Sequence, residues 1–381
     1  MLFNYKIVEH YKIIHLVKGR ADPSASNGVN VVIHNLATIQ QKQDFDVEVW
    51  GITKNTHLTK HEHIYPLHLF KPTIFPFSKN IKLTDRLTTI PRSTIFHIHS
   101  GFIPEFYTFT RSLKKYGFKW IISSHGVYAL NKHIKNILLK SIYKKIFENN
   151  LINEASAIHA LSTSEAQLFN AQVRKKTFIV PNGVVIKDKF KTIYSTDNFL
   201  RISYCGRIVM HHKGLDLLLK SINLFKKQKE NIHLDLIGDG PDIKLLKNMA
   251  ETLKINKQVT FHGNKMGQEK EDIVIKSDIF IHTSRWEGMP LAVLEAASLG
   301  LPLLVSQQTN LADYVYKSGA GFVVNELTHH NIHTKLLMIL EEKINKKLDI
   351  KGRAARKMAI NEFSWENCVE LFYKNIYTKI T

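Results

Sequence analysis

The most informative stretch of the sequence runs from Ser284 to Ala296 and reads Ser-Arg-Trp-Glu-Gly-Met-Pro-Leu-Ala-Val-Leu-Glu-Ala. It follows Ile279–Thr283, an apolar segment with the length of a buried strand, and it contains Pro290, which is suited to the first turn of a helix. We therefore predict a strand, a loop and a helix in that order. The free backbone N–H groups at the start of this helix can bind an anion, and Gly288 permits close approach of a ligand.

Two carboxylates lie close to this predicted anion site. Glu287 falls in the loop, and Glu295 falls inside the helix. A ligand that carries both phosphates and hydroxyls fits this arrangement, because phosphates bind backbone amides and hydroxyls donate to carboxylates. Spacing alone equally allows Glu287 to be a solvated loop residue and Glu295 to be a charge on the helix surface.

A pair of basic residues follows another predicted strand. Gly206 and Arg207 come after Arg201–Cys205, and Lys213 with Gly214 stands at the start of the next predicted helix. Two cations at a strand end can bind a diphosphate, the Arg in bidentate fashion and the Lys as a point charge. The chain has 53 Lys and Arg residues, so such a pair also arises by chance and is a weak signal alone.

Short apolar segments alternate with helix-like segments along almost the whole chain, which predicts an α/β fold with parallel sheets. A turn at residues 181–183 (Pro-Asn-Gly) ends the first series, and polar residues up to Asn198 separate it from a second series. We expect two Rossmann-like domains, followed by one helical tail over Lys351–Tyr377. The predicted strands are Lys12–Val17, Asp46–Gly51, Thr94–Ile98, Trp120–Ser123, Ala157–Leu161 and Thr177–Val180, then Arg201–Cys205, His233–Ile237, Gln258–Phe261, Ile279–Thr283, Leu303–Ser306 and Gly321–Val324.

Composition restricts the class of protein further. A chain of 381 residues with 44% hydrophobic residues is long and apolar enough for two domains with separate cores. Its two cysteines, Cys205 and Cys368, exclude a disulfide framework and a cysteine-based zinc module. The first residues lack the apolar core of a signal peptide, and no uncharged apolar run reaches the ~18 residues that a membrane-spanning helix needs. We expect a cytoplasmic protein.

The formal net charge of +20 is concentrated in one region. Residues 51–150 contain 16 Lys and Arg but only 4 Asp and Glu. Such a charge indicates a polyanionic partner, either nucleic acid or an anionic bilayer. The sequence lacks the motifs of RRM, KH and zinc-finger domains, so we expect that nucleic acid is not a partner. A basic nucleic-acid-binding protein is kept as the alternative function from a different class.

Histidines follow two further predicted strands, in residues 97–100 (His-Ile-His-Ser) and 123–126 (Ser-Ser-His-Gly). His97 and His99 share one face of a strand, as metal ligands could, but no third ligand is evident, so we expect no metal. Gly28 follows Asn27 at a turn that could approach a phosphate, without the glycine pattern of an NAD site. Nucleophile-elbow, Walker A and HExxH motifs are missing, which argues against the common hydrolase and NTPase classes.

Taken together, these motifs resemble those of the retaining glycosyltransferases of family 4. The resemblance implies the GT-B fold, in which two Rossmann-like domains face each other across a cleft. In the first half it rests on Asn27-Gly28, on Ser124-His125-Gly126 and on the strand order. In the second half it rests on Glu287 and Glu295 with seven residues between them, Gly206-Arg207, Lys213-Gly214, Ile237-Gly238-Asp239-Gly240-Pro241 and the junction Val180-Pro181-Asn182-Gly183-Val184.

The resemblance implies a role for each matching residue. Arg207 and Lys213 would bind the donor diphosphate and stabilise the departing nucleotide. Glu287 would hold hydroxyls of the transferred sugar, and Glu295 would bind the ribose. His125 would lie near the donor sugar and the acceptor. The residues implied to bind the donor are Gly28, Gly206, Gly263, Gly288, Met289, Pro290, Leu291 and Glu295.

The resemblance also implies a division of labour between the domains. Residues 1–183 would bind the acceptor and residues 184–363 the nucleotide sugar, and residues 364–381 could pack back on the first domain. The implied reaction moves a sugar, from a UDP-sugar by preference, to a glycan or lipid-linked acceptor in cell-surface polysaccharide or glycolipid synthesis. It would need no metal or other cofactor. A nucleotide-sugar epimerase with the same fold is the closest alternative.

Residues 132–147 mix Lys with Ile, Leu, Tyr and Phe at helical spacing. One interpretation is a core helix with a solvated basic face. The other is a surface for anionic lipid, to which the basic residues 111–120 would contribute. In that case residues 111–147 would hold the protein peripherally on the inner face of the cytoplasmic membrane.

Overall fold

The computed structural model describes residues 11–23, 28–57, 63–75, 77–128, 141–228 and 231–380. The chain divides into two compact units, one of residues 1–183 with 365–381 and the other of residues 184–364. The chain therefore passes from the first unit to the second at the Pro-Asn-Gly turn, and its last segment returns to the first unit. Among the described residues, no helix combines the length and the apolar character needed to cross a bilayer.

The first unit is built on a parallel sheet. Its strands are β1 (Lys12–Lys18), β2 (Asp46–Ile52), β3 (Leu67–Phe70), β4 (Ile95–His99), β5 (Lys119–Ser123), β6 (Ala157–Ala160) and β7 (Thr177–Ile179). They lie in the order β3-β2-β1-β4-β5-β6-β7. The helices described before residue 184 are α1 (Gly28–Lys42), α2 (Ile81–Asp85), α3 (Pro104–Lys115), α4 (Asn149–Glu154), α5 (Thr163–Ala166) and α6 (Ala171–Arg174), with a 3₁₀ turn at Arg86–Thr88 and a π-helical turn at Lys144–Glu148.

The second unit repeats this plan. Its parallel strands are β8 (Phe199–Cys205), β9 (Asn231–Ile237), β10 (Val259–Gly263), β11 (Ile279–His282), β12 (Leu303–Ser306) and β13 (Gly321–Val324). They lie in the order β10-β9-β8-β11-β12-β13. The described helices are α7 (Leu215–Lys227), α8 (Ile243–Thr252), α9 (Gly267–Val274), α10 (Leu291–Ser298), α11 (Ala312–Ser318), α12 (His329–Ile344) and α13 (Leu348–Phe363), with a 3₁₀ turn at Gln307–Thr309.

The final segment belongs to the first unit. It consists of α14 (Trp365–Phe372), a π-helical turn (Tyr373–Tyr377) and α15 (Thr378–Ile380). Trp365 packs so closely on Gly183 that a Cβ atom there would lie 2.3 Å from the indole ring. Phe372 and Tyr377 are buried in this unit, where both rings lie next to the ring of His97.

Burial explains why the strands form where the sequence is apolar. In β1, residues 13–17 are all buried, and every residue of β4, β11 and β12 is buried. Parallel strands are covered by helices on both faces, so they read as nearly continuous apolar runs. This signal predicted each of the named strands except β3. Only Phe70 of β3 is buried, because this edge strand pairs with β2 alone.

The predicted tail over Lys351–Tyr377 is helical, but it is divided at Ser364. Helix α13 ends at Phe363, and Ser364 has an extended backbone with φ −62° and ψ 145°. The Val184 N–H donates to the Phe363 carbonyl over 2.7 Å, and Val184 forms a parallel bridge with Ser364. This pairing ends the second unit, and the chain then starts a separate helix at Trp365.

A buried ion pair closes one side of the second unit. The Lys343 side chain is fully buried on α12, and its Nζ lies 2.7 Å from Asp278 Oδ2 and 2.7 Å from Asp197 Oδ1. The same Asp278 oxygen accepts the Arg201 backbone N–H over 2.9 Å. Since Asp278 is itself buried, its charge depends on this lysine for compensation.

We predict that Lys343→Met lowers the free energy of unfolding by about 3 kcal/mol, because the buried Asp278 carboxylate loses its close ion pair and keeps only the Arg201 guanidinium, 4.0 Å away. Urea unfolding of the purified protein measures this loss. The matched control is Lys335→Met on the same helix, whose partly exposed side chain should change the free energy by less than about 0.5 kcal/mol. Equal effects of the two substitutions would contradict the assignment.

Candidate functional site

The predicted donor residues gather where the order of the second sheet reverses. Strands β8 and β11 are neighbours, but the chain continues from β8 towards β9 on one side and from β11 towards β12 on the other. Connections therefore leave in opposite directions from these two strand ends, and ligands of open α/β sheets bind in the crevice that results. Arg207 follows β8 and Glu287 follows β11.

Glycine geometry brings the two loops together. Gly214 has a φ of +64°, and a Cβ atom at this position would lie 2.0 Å from the Thr283 carbonyl oxygen. Only glycine permits this close approach without strain. The loop before α7 therefore packs directly on the end of β11, which places the Lys213 ammonium in contact with the Glu287 carboxylate.

Glu287 is held as an ionised carboxylate. Its Oε1 accepts hydrogen bonds from Lys213 Nζ, from Ser284 Oγ over 3.0 Å and from His282 Nε2 over 3.1 Å. Burial alone would raise the pKa of Glu287, but the hydrogen bond from His282 and the charge of Lys213 hold it below its usual range. The solvated-loop interpretation of Glu287 is therefore wrong.

The backbone of this loop is fixed by a residue that sequence reasoning missed. Asn310 Nδ2 donates to the carbonyl oxygens of Glu287 and Gly288, in each case over 2.7 Å. Asn310 itself has a φ of +58°, which Asn tolerates better than most residues. The positive φ of an asparagine gives no sequence pattern, so nothing in the sequence pointed to this side chain.

Glu295 lies apart from this cluster and has its own lysine. Lys270 Nζ donates to Glu295 Oε2 over 2.8 Å. Burial lowers the pKa of Lys270, but the charge of Glu295 more than compensates and raises it. Lys270 is a second residue that sequence reasoning missed, and the Glu295 side chain remains about one-third exposed.

The other predicted donor residues are Arg207, the residues at the start of α10 and several glycines. The Arg207 side chain is exposed, and no described residue accepts a hydrogen bond from its guanidinium. Met289 and Pro290 are buried and Leu291 is half-buried at the start of α10. Pro290 precedes the helix with a ψ of 113°, so its predicted place in the first turn is wrong.

Glycine positions complete the description of this region. Gly206 has a φ of +157° directly after β8. Gly263 ends β10 with a φ of +67°, and its carbonyl oxygen accepts the Gly238 N–H over 2.8 Å. Gly28 is the first residue of α1 in the other unit, and its neighbour Asn27 lies outside the described residues.

Two further contacts brace the loops around Lys213. The His212 and Trp286 rings stack at a centroid distance of 4.5 Å, and His212 Nε2 donates to the Trp286 carbonyl over 2.8 Å. Arg285 forms a bidentate ion pair with Asp216 over 2.7 and 2.8 Å. The first contact joins the loop before α7 to the loop after β11, and the second joins the first turn of α7 to that same loop, so the position of Lys213 relative to Glu287 is supported on both sides.

His125 occupies a tight turn after β5 in the first unit. It has a φ of +50°, which is uncommon for a residue other than glycine. The buried Glu165 carboxylate holds this turn by accepting the Ser124 hydroxyl over 2.5 Å and the Gly126 N–H over 2.6 Å. The side chain of His125 is half-buried, with its Nε2 3.0 Å from His99 Nδ1.

Behind His125 lies a group of buried histidines. His15, His97 and His99 each present a ring nitrogen within 4.8 Å of the others, so His15 is the third histidine that the sequence did not reveal. Hydrogen bonds within the first unit already occupy these nitrogens. Burial lowers the pKa of all three, to about 4 for His15 and well below the usual range for His97 and His99.

The chain matches two family descriptions, one in each half. Residues 26–188 match the model described as Glycosyltransferase Family 4, and residues 186–358 match the model described as Glycosyl transferases group 1. The chain belongs to glycosyltransferase family 4. This membership makes it an enzyme of the hexosyltransferase type, as the sequence motifs predicted.

Curated relatives of this glycosyltransferase are distant. The phosphatidylinositol N-acetylglucosaminyltransferase GPI3 subunit of Saccharomyces cerevisiae is 24% identical over 337 residues, which cover 83% of the chain and 69% of that protein. An uncharacterized glycosyltransferase of Methanocaldococcus jannaschii is 24% identical over 277 residues, which cover 72% of the chain and 62% of that protein.

Solved structures show the fold of the glycosyltransferase. Sucrose-phosphate synthase from Thermosynechococcus elongatus has a TM-score of 0.76 at 16% identity, and the match covers 97% of this chain and 100% of that one. Anabaena HepE in complex with UDP and glucose has a TM-score of 0.74 at 16% identity with the same coverage. The lipopolysaccharide outer core galactosyltransferase WaaB has a TM-score of 0.71 at 18% identity, with 97% and 99% covered. The predicted GT-B fold is confirmed.

We predict that this glycosyltransferase loses stability as the pH falls below about 6.5. Burial lowers the pKa of His15 and His159 to about 4, although hydrogen bonds to Gln40 and the Val180 carbonyl oppose the shift. The unfolded chain binds protons near its ordinary pKa of 6.5 and the folded one does not, so stability is complete above 6.5 and is lost towards 4. Each histidine should cost about 2 kcal/mol of unfolding free energy by pH 5.

Urea unfolding between pH 7.5 and pH 5 measures this dependence. His159→Gln should reduce its slope, because one titrating group is removed. His57→Gln is the control, since His57 is exposed and should leave the slope unchanged. The interpretation is wrong if unfolding is independent of pH across this range.

Proposed function

We propose that this enzyme transfers a hexosyl group from a UDP-sugar to a hydroxyl of a glycan or lipid-linked acceptor, with retention of the anomeric configuration. The contact between Lys213 and Glu287 carries the proposal. It puts a cation suited to phosphate beside a carboxylate suited to sugar hydroxyls, at the strand ends where an α/β sheet binds its ligands. Arg207 follows the neighbouring strand with an exposed guanidinium.

A uridine nucleotide is the favoured donor. Anabaena HepE, which shares the fold, has been crystallised with UDP, with UDP and glucose, and with UDP-glucose. In our proposal Arg207 and Lys213 bind the diphosphate, Glu287 binds sugar hydroxyls and Glu295 binds the ribose. The backbone N–H groups of Gly288, Met289 and Leu291 would bind the donor, and Gly206 and Gly263 would allow it to approach the backbone closely.

The proposed reaction places all of its charge changes on groups that this site can stabilise. The acceptor oxygen forms a bond to the anomeric carbon while the bond from that carbon to the diphosphate oxygen breaks. The acceptor proton passes to the departing diphosphate. Arg207 and Lys213 stabilise the negative charge that develops there. Glu287 is not a nucleophile in this scheme, because the acceptor oxygen itself forms the bond to the anomeric carbon.

We further propose that the reaction needs no metal ion. In many phosphate-transferring sites a divalent cation offsets the charge of the leaving group. Here two fixed side-chain cations can take that role. The transfer rate should therefore be unchanged by EDTA.

We predict that Arg207→Ala weakens the binding of UDP by roughly 10- to 100-fold, because a charge-assisted contact to the diphosphate is lost. The binding of UMP, which lacks the second phosphate, should weaken far less. Lys213→Ala should show the same selectivity, and both variants should lose transfer. Calorimetry with UDP, UMP and GDP, in the presence of EDTA, measures the affinities.

Lys244→Ala is the matched control, because Lys244 is an exposed cation on α8 of the same unit. A similar loss of UDP and UMP affinity in Arg207→Ala would contradict the diphosphate role. A UDP-sugar incubated with enzyme but no acceptor separates transfer from epimerisation, since only an epimerase converts the sugar.

We propose that the acceptor is presented at an anionic membrane surface. An apolar surface of the first unit supports this, and we call it the apolar patch: Ile74, Phe75, Phe77, Ile142 and Ile146, with exposures from 47% to 93%. The patch is formed by two segments, one with residues 74, 75 and 77 and the other with residues 142 and 146. Phe77 links them by packing on Phe147, with a distance of 4.7 Å between the ring centroids. Residues 132–140 of the predicted amphipathic segment lie outside the described residues.

Charge around the apolar patch suits an anionic bilayer. Lys71, Lys79 and Lys145 are exposed next to its members along the chain, and no acidic residue falls between residues 63 and 84. Exposed apolar side chains surrounded by lysines bind the interface of membranes that carry negative lipid. The proposed localisation is therefore peripheral, at the cytoplasmic face of the membrane.

We predict that Phe75→Ser weakens binding to vesicles of phosphatidylcholine mixed with phosphatidylglycerol by about tenfold, because an exposed aromatic ring no longer inserts. Flotation measures the bound fraction. Tyr316→Ser is the control, since Tyr316 is an equally exposed aromatic residue in the second unit. Equal binding of the parent protein to pure phosphatidylcholine would refute the anionic-surface proposal.

A further inference from the structure

A continuous chain of hydrogen bonds crosses the first sheet and ends at His125. It starts at the Val180 carbonyl, which lies 2.7 Å from His159 Nε2. Ser123 Oγ lies 2.6 Å from His159 Nδ1 and 2.5 Å from His97 Nε2. His97 Nδ1 is in turn 3.1 Å from the Tyr377 hydroxyl. Strands β4, β5 and β6 and the last segment of the chain thus contribute to one network.

The chain continues from Tyr377 to His125 through three more side chains. Gln40 Nε2 donates to the Tyr377 hydroxyl over 3.1 Å, and Gln40 Oε1 lies 2.7 Å from His15 Nε2. His15 Nδ1 lies 2.9 Å from His99 Nε2. His99 Nδ1 lies 3.0 Å from His125 Nε2. Every ring nitrogen between the Val180 carbonyl and His125 therefore has a partner.

The Val180 carbonyl sets the direction of the first half of this chain. A carbonyl oxygen only accepts, so His159 must carry its proton on Nε2 and accept at Nδ1. The Ser123 hydroxyl then donates to His159, and its oxygen accepts from Nε2 of His97. His97 must accept at Nδ1, so the Tyr377 hydroxyl donates to it. Each neutral imidazole passes the same direction on to its neighbour.

The second half follows by the same reasoning. The Tyr377 oxygen has donated its proton and accepts from the Gln40 amide, so the amide oxygen faces His15. His15 must donate from Nε2 and accept at Nδ1. His99 then donates from Nε2 and accepts at Nδ1. The only arrangement left for His125 is a proton on Nε2, donated to His99.

We propose that this network is a tautomer lock, which holds His125 with its proton on Nε2 and an unprotonated Nδ1 that accepts a hydrogen bond from a substrate hydroxyl. No described residue bonds to His125 Nδ1. Val180, His159, Ser123, His97, Tyr377, Gln40, His15 and His99 act as positioning residues. The inference about the hydroxyl rests on the proposed transferase function, whereas the tautomer itself does not.

Neutral imidazoles are a condition of the lock, and burial provides it. The side chains of His15, His97, His99 and His159 are at most 3% exposed. Burial lowers the pKa of His125 to about 3. His125 is therefore a hydrogen-bond acceptor rather than a general base at neutral pH.

Removing the Tyr377 hydroxyl tests the lock. In Tyr377→Phe the Gln40 amide is free to rotate and offer its nitrogen to His15. The second half of the chain can then reverse, and His125 would carry its proton on Nδ1. We expect a mixture of His125 tautomers and a drop in kcat/KM of about fivefold, which is the loss of one neutral hydrogen bond.

Nuclear magnetic resonance of the full-length, ligand-free protein labelled with ¹⁵N-histidine distinguishes the two tautomers. His125→Gln identifies the His125 signals by their disappearance. Ser123→Ala breaks the chain at a second place and should give the same mixture, in case Tyr377→Phe does not fold. Since both substitutions break one chain, the double variant should lose no more activity than either single variant.

Tyr373→Phe is the matched control, because Tyr373 lies one turn away in the same helical segment and packs on Phe45 outside the network. It should leave the His125 tautomer and kcat/KM unchanged. A proton on Nδ1 in the parent protein, or an unchanged tautomer in both Tyr377→Phe and Ser123→Ala, would overturn the lock. A locked tautomer in a protein without transferase activity would refute the proposed function and leave the lock standing.

Discussion

Reversal of strand order is the constraint on which the rest of this structure depends. Parallel strands need right-handed crossovers, so a sheet that grows in both directions has one pair of neighbours whose connections diverge. In the second unit that pair is β8 and β11, and Arg207 and Glu287 follow these strands. In the first unit the pair is β1 and β4, which carry His15, His97 and His99. In each unit these polar residues therefore lie at the pair of strands where the connections diverge.

Both lysines of the site in the second unit are paired with carboxylates. Lys213 is paired with Glu287, and Lys270 is paired with Glu295. A phosphate that reaches Lys213 must therefore compete with a carboxylate or share the ammonium with it, which favours a ligand whose hydroxyls satisfy Glu287 at the same time. The charge of +20 does not decide this site, because residues 51–150 of the other unit carry +12 of it, with 16 Lys and Arg against 4 Asp and Glu.

The sequence predicted the elements with strong local signals and missed those that depend on distant residues. Apolar runs located the buried strands, but β3 was missed because three of its four residues are only half-buried. The motif Glu287 to Glu295 indicated the right loop and helix, while Asn310 and Lys270 reach it from other parts of the chain. The spacing of His97 and His99 suggested a shared face. It could not reveal His15, which is 84 residues away from its partner His99 in the sequence, or Tyr377, which is 280 residues away from its partner His97.

The return of the chain to the first unit has a consequence for biosynthesis. Tyr377 is translated after the whole of residues 184–364, yet it occupies the middle of a network built on β1, β4, β5 and β6. The first half of the protein can therefore form its sheet on the ribosome before it can complete its buried polar interior. Until Tyr377 arrives, Gln40 and His97 lack a shared partner, so the nascent first half should be open to water at this point. The histidine network can therefore be completed only after the second unit has been synthesised.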